Sequence, residues 1–333
     1  SVPVQVAGLS GVASVAAGNG FTVARKSDGT VWAWGYNANG QLGDNTTTQR
    51  LQPVQVTTLS GVVSVAAGWD DSVALKSDGT VWAWGWNGNG GLGDGTTTDR
   101  WLPVQVTGLS EVTALAAGYP YFVALKSDGT VWTWGWNGYG GLGDGTTTDR
   151  WLPVQVPGLS GVAAIAAGRY HTVVLKNDGT VWAWGYNVYG QVGDGTTTDR
   201  WLPVQVPGLS GVAAVSAGAY HTIALKNDGT LWTWGANGFG QLGDETTTSS
   251  SIPVQVTGTI STPGPFILGS VRQGNLSQLA NAGAGSGGGC SMSPTKGPVT
   301  LSGVIGNWGL LIAGLAAIAL RRRIRRKRGG RGD

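Results

Sequence analysis

A segment close to V-A-L-K-S-D-G-T-V-W-A-W-G returns every 50 residues, without insertion or deletion. Trp32, Trp82, Trp132, Trp182 and Trp232 hold one phase, and Trp34, Trp84, Trp134, Trp184 and Trp234 another. Self-similarity at a fixed period of this size means stacked supersecondary units, each unable to bury its apolar face alone. Five units are expected, near 11–60, 61–110, 111–160, 161–210 and 211–257, within a repeat region over 1–258. A lone P-V-Q-V (Pro3 to Val6) precedes them. The chain as given starts within a unit, so one or two further units and a signal peptide are expected upstream.

Each unit reads as β. Gly11 to Gly18 is a short apolar run ended by Gly. Thr22 to Lys26 and Val31 to Gly35 flank Asp28-Gly29, and Asp-Gly between β-prone runs is a hairpin signal. P-V-Q-V (Pro53 to Val56) makes a fourth strand, where a leading Pro suits a strand start or an edge. No stretch carries a sustained 3.6-residue period. Trp32 and Trp34 lie two apart and share a face; Val31, Ala33 and Gly35 take the other. A large face on one sheet then packs on a small face of the next, as in a β-propeller. Burying one Trp removes roughly 150–250 Å² from water, about 4–6 kcal/mol gross. Ten such side chains, read as core rather than sugar-stacking platforms, support an all-β array despite 59 Gly. The expected fold is a propeller of about five four-stranded blades, in an open arc or an imperfect ring.

With A-A-G-x-x-H-T-V-A-L-K-x-D-G-T-V-W-A-W-G-x-N-x-x-G-Q-L-G in view, best in Ala166 to Gly193 and Ala217 to Gly243, the chain resembles the regulator-of-chromosome-condensation repeat family. The resemblance covers residues 1 to about 257. It implies a β-propeller, usually of seven blades, and a range of functions: guanine-nucleotide exchange with chromatin binding, β-lactamase inhibition, and binding scaffolds. Fold transfers across such a family better than function does.

After Val256 the period stops. Residues 259–298 are rich in Gly, Ser, Pro, Ala and Thr, a linker composition. Residues 299–320 give 22 uncharged residues, long enough for a transmembrane helix. The basic tail 321–333 follows at once with Arg321, Arg322 and Arg323, and the positive-inside rule puts it in the cytoplasm. Eight of the 21 Lys/Arg fall in this tail, leaving 13 against 17 Asp/Glu over 1–298. The +3 net charge is therefore no diffuse basic surface for nucleic acid. A small-residue motif with one Cys (Gly288, Gly289, Cys290, Ser291), an apolar segment and an Arg cluster resemble bacterial C-terminal sorting domains. That implies a sorting protease or transpeptidase as partner, transient membrane anchoring, and an exported propeller at the cell envelope. Cys290, the only Cys, would be processed or lipidated; an incidental thiol and a plain membrane anchor are the alternatives.

Function is expected on one face. The units differ most in two loops. Between the first and second strands lie Trp69, Asp70, Asp71, Tyr119, Tyr121, Arg169, Tyr170, His171, Tyr220 and His221. Between the third and fourth lie Trp86, Trp136, Tyr139, Tyr186, Tyr189 and Phe239. In an antiparallel meander both loops fall at the same end of the blade. Trp, Tyr and Arg are enriched at interface hot spots, so this end is the candidate surface for an extracellular protein or glycan. Drift at loop tips is the plain alternative. The loop Gly93 to Arg100 carries two Asp, which fit turn hydrogen bonds better than a calcium loop. No triad, HExxH or phosphate loop appears, and nothing calls for a cofactor or metal. An enzyme on the propeller face, a lyase or hydrolase, is the second reading; it needs His171, His221 and acidic residues to share one pocket. A nucleotide-exchange-like regulator is the third, by family analogy alone.

Overall fold

The computed structural model describes residues 2–257. The expected linker, sorting motif, transmembrane helix and basic tail lie outside the described residues. Among the described residues, twenty strands form five four-stranded antiparallel meanders. The first is β1 (Val12–Ala17), β2 (Phe21–Lys26), β3 (Val31–Gly35) and β4 (Arg50–Gln55). The sheets β5–β8, β9–β12, β13–β16 and β17–β20 repeat these bounds at each further 50 residues. Among the described residues there is no helix. Pro3 to Val6 forms no strand, and Val4 is 89% exposed.

The Asp-Gly hairpin is a three-residue loop. Gly29 N–H donates to the Lys26 carbonyl (3.0 Å), and Asp28 Oδ1 accepts from the Thr30 amide (3.0 Å) and hydroxyl (2.6 Å). Gly29 takes φ +80°, the left-handed conformation that closes such loops. A β-carbon there would also press on the Gly61 backbone of the next sheet. The loop thus joins neighbours as well: the Gly29 carbonyl accepts from Val62 N–H (3.1 Å), and Gly79, Gly129 and Gly179 do the same one sheet on.

The fourth strand differs from the expected P-V-Q-V. It starts three residues earlier, at Arg50, and ends at Gln55. Arg50 pairs with Gly35 and Val54 with Ala33, so residues 51–53 oppose Trp34 alone. Pro53 sits in this bulge on an outer strand that pairs only with β3, where its missing N–H breaks no ladder.

The Trp faces fall as the alternation requires. Trp134 packs with Leu115, Phe122 and Ala124 of its own sheet against Val73, Leu75, Val81 and Ala83 of the sheet before. Trp184 and Trp234 repeat the arrangement. The ten Trp are not equivalent, however. Trp84, Trp134, Trp184 and Trp234 are fully buried, and the first three donate an indole N–H to the carbonyls of Gln41, Gly91 and Gly141 (2.9 Å each). The Trp32 phase is only half-buried. There each indole donates to a Thr hydroxyl two residues back (3.2 Å in Trp32) and lies under a Lys ammonium, such as Lys26 at 5.9 Å. The Trp84 phase therefore fills the core, while Trp82, Trp132, Trp182 and Trp232 pack against its edge. At the first sheet Val15 is 63% exposed against 2% for its counterpart Val65, because no sheet among the described residues covers that face.

Candidate functional site

Two loops per unit build the upper face, and the chain dictates how they meet. The long loop between third and fourth strands is held by a fully buried Asn. Asn87 Oδ1 accepts from Leu92 N–H (2.9 Å), and its Nδ2 donates to the carbonyls of Thr96 (3.1 Å) and Thr98 (3.0 Å). Asn37, Asn137, Asn187 and Asn237 do the same. Both Asp of this loop serve it. Asp94 Oδ1 accepts from the Thr96 amide (2.9 Å), its Oδ2 pairs with Arg100 (2.7 Å), and Asp99 accepts from Asn87 N–H (2.7 Å). Among the described residues no group of three or more His, Cys, Asp and Glu is placed to hold a metal ion.

The long loop is tied to the short loop of its own sheet. Trp86 N–H donates to the Asp70 carbonyl (2.9 Å), Trp136 to Pro120 (3.1 Å) and Tyr186 to Tyr170 (3.0 Å). Gly35 and its copies permit this approach. Their φ lies near +100°, and a β-carbon would collide with the short-loop backbone. Short loops also bond across sheets: Asn19 N–H to the Trp69 carbonyl (3.0 Å), Tyr119 to Arg169 (3.0 Å) and Arg169 to Ala219 (3.1 Å).

The variable aromatic positions consequently touch one another. Ring centroids lie 4.6 Å apart for Trp69–Tyr119, 5.8 Å for Tyr119–Tyr170 and 5.2 Å for Trp136–Tyr170. The series continues through Tyr139–Tyr186 (4.6 Å), Tyr186–Tyr220 (6.1 Å) and Tyr189–Tyr220 (5.6 Å). Arg169 Cζ sits 4.9 Å from the Tyr119 ring and 5.2 Å from Tyr170, within cation–π range. A cavity of about 290 Å³ opens beside this cluster, lined by Trp69, Asp70, Trp86, Asn89, Tyr119, Pro120, Trp136 and Tyr170.

Four expected face residues, Asp71, Tyr121, His171 and His221, open second strands instead. Asp71, Tyr121 and His171 are fully buried between sheets, because each opens a second strand and shares its inward face with the core residues two and four positions on. Tyr121 Oη donates to the His171 carbonyl (2.6 Å) and accepts from Thr172 Oγ1 (3.1 Å); His171 Nε2 meets Thr222 Oγ1 at 3.1 Å. Burial, with His221 nearby, pulls His171 down to about 3, so it is neutral. His221 is also pulled down by burial. Neither His lines the cavity. Asp71 has no partner for either oxygen, and burial, then Asp70, pushes its carboxyl up to about 8. Phe239 is 97% exposed and stands apart from the ring cluster. Gly288 to Ser291 and Arg321 to Arg323 lie outside the described residues.

Sequence reasoning passed over the outer Trp101, Trp151 and Trp201, each about half exposed. They lie across Gly40, Gly90 and Gly140 of the preceding unit, and their carbonyls accept from Asn45, Gly95 and Gly145 (2.9–3.0 Å). Their recurrence in R-W-L-P-V-Q was the available signal.

Radially repeated four-stranded meanders, each packing its Trp face on the sheet before, define a β-propeller-type repeat protein. The chain belongs to the RCC1-like domain family, whose model matches residues 1–274. It is similar to the crystal structure of human WBSCR16, with a TM-score of 0.67 and 27% identity over 74% of this chain and 67% of that one. Yeast RCC1 (Prp20) in its complex with Kap60 gives a TM-score of 0.60 at 20% identity, covering 74% and 75% of the two chains. Prp20p of Saccharomyces cerevisiae gives 0.50 at 22% identity, covering 74% and 77%. No curated protein matches the sequence.

Proposed function

We propose that this chain is an exported, envelope-anchored binding propeller whose aromatic upper face docks a protein or glycan partner. The observation that carries the docking reading is the unbroken ring-to-ring contact from Trp69 to Tyr189 around Arg169, beside an open cavity. Such Trp, Tyr and Arg anchors dominate interface energetics. Export and anchoring rest on the sequence of 259–333, with its 22 uncharged residues directly before the Arg run.

Two experiments test the halves separately. The chain is screened on peptide and glycan arrays beside the quadruple variant W69A/W86A/Y119A/W136A. The expected result is ligands lost by the variant with an unchanged β-sheet spectrum; ligands retained by a folded variant reject the face. Mass spectrometry of the protein recovered from cell envelopes should find the chain cut or modified near Cys290. An intact, unmodified tail rejects the sorting reading.

A further inference from the structure

The cavity on the aromatic face has a composition that selects among ligands. Five of its lining residues are aromatic rings, two of them (Tyr119 and Tyr170) bearing hydroxyls, and Asp70 and Asn89 add the remaining polar side chains. Ring faces are the negative ends of aromatic quadrupoles and attract cations, more strongly as water is excluded. Arg169 already lies over three of these rings, Trp69, Tyr119 and Tyr170, at 4.9–5.7 Å, which leaves Trp86 and Trp136 as the lining rings with no cation over them among the described residues.

Two walls are built for the purpose by small residues. Trp86 and Trp136 lie across Gly88 and Gly138, where a β-carbon would collide with the indole. The units with Tyr36 and Tyr186 carry Ala38 and Val188 at that position instead. At this loop position indoles occur only in the second and third units, which line the cavity together with Tyr170 of the fourth.

Asp70 brings a carboxylate to the cavity without an ion pair, a state it shares with Asp99, Asp149 and Asp199 among the described residues. Asp44, Asp94, Asp144 and Asp194 each pair with an Arg of their own loop, and Asp28, Asp78 and Asp228 with a Lys. Among the described residues Asp70 has no such ion pair; Gln41 Nε2 donates to it at 3.3 Å. Burial pushes its carboxyl up, a penalty that a bound cation would offset. The unpartnered Asp71 adjoins it in the chain.

Resting on the docking reading above, we infer that this cavity takes a quaternary ammonium group, presented as a trimethylated lysine side chain of a partner polypeptide. An unmethylated ammonium carries three N–H donors and binds water tightly. Rings offer those protons few oxygen acceptors. Trimethylation removes the donors and leaves a weakly hydrated cation that rings and one carboxylate satisfy. The cavity's size suits one functional group rather than a whole ligand. The ring surface continues past it through Tyr139, Tyr186 and Tyr220, giving the flanking residues of a chain a surface to lie on.

The test is tryptophan fluorescence of the full chain, titrated with four probes. These are a short peptide carrying trimethyllysine, the same peptide with unmodified lysine, the same peptide with a neutral tert-butyl isostere, and free choline. Saturable quenching by the trimethyllysine peptide is expected, at least about tenfold tighter than by the other three. Trp86→Ala and Trp136→Ala should abolish it. Asp70→Asn should weaken it about tenfold, and so should Gly88→Val, which displaces an indole without deleting it. Circular dichroism identifies any variant that fails to fold, and Asp70→Asn, which keeps the side chain's shape, then carries the test. Equal affinity for the neutral isostere, equal affinity for choline, or no saturation overturns the inference. A glycan or uncharged peptide that binds through Trp86 and Trp136 without needing Asp70 overturns the cation while leaving the docking face in place.

Discussion

Between the third and fourth sheets Tyr121 meets Thr172, and between the fourth and fifth His171 meets Thr222. Between the second and third the same two phases hold Asp71 and Phe122. A buried carboxyl there faces a ring with no hydroxyl to offer. All three joints share the Trp packing and the Gly–Val backbone bond, so the apolar frame tolerates what the polar ladder lacks. The lesson is that polar matching here is pairwise. A substitution on one sheet is paired or orphaned by a residue 51 positions on, while the surrounding frame stays constant. The orphaned joint adjoins Asp70 and the cavity.

The largest way to break the comparison is through the shared frame. Trp134→Ala and Trp184→Ala should each cost about 3–5 kcal/mol, seen as an earlier midpoint in chemical denaturation. Similar costs at both joints would show that the frame, not the ladder, sets their strength.

Next comes pH. The folded Asp71 carboxyl is held up at about 8, above its unfolded value, so the folded state keeps a proton that the unfolded chain releases. Stability should fall as pH rises from the ordinary carboxylate range to about 8, and level off beyond. The joint has a ready repair in the chain itself, since Gly91 leaves beside Asp71 the room that Gly141 leaves beside Tyr121. Asp71→Tyr with Phe122→Thr should flatten the pH dependence and stabilise the fold by about 1–3 kcal/mol at pH 7. A pH profile unchanged from the parent would refute the account of this joint.

Smaller still, Thr222→Val orphans His171 Nε2 and the Gln191 carbonyl, and should cost about 1–2 kcal/mol. The same change has no counterpart at Phe122, which sharpens the contrast. The smallest effect lies outside the joints. Asp94→Asn keeps the turn oxygen and loses the Arg100 pair, at about 0.5 kcal/mol in thermal melts. Asp94 is held below its ordinary value: its own burial opposes this, but the Thr96 and Arg100 hydrogen bonds outweigh it. This contribution should therefore vanish as pH falls through the carboxylate range, the opposite sense to Asp71.

Much of the frame was legible in the sequence. The period located the units, Asp-Gly located the hairpins, and the two-residue spacing of Trp32 and Trp34 assigned the faces. Alternation reports which side of a sheet a residue faces but not its distance from the array's axis, so it could not separate the buried Trp84 from the half-buried Trp82. It did contain the placement of Asp71, whose spacing to Val73 and Leu75 puts all three on one inward face. The variable-loop criterion took Asp71, Tyr121 and His171 for face residues because internal joints vary as freely as loops do. Strand four was misread at its start because a Pro inside a strand is hidden until the bulge is seen. The cavity residues all lie in the two variable loops, Asn89 and Pro120 included, but their meeting in one lining shows only in three dimensions.

The Gly–Val backbone bond between successive sheets uses no side chain. Each unit carries one acceptor for the next and one donor for the last, as identical bricks carry tongue and groove. Units exchanged, duplicated or deleted whole would still meet neighbours with matching joints. A gene built this way can change the number and order of its loop faces while leaving the joinery of the fold intact.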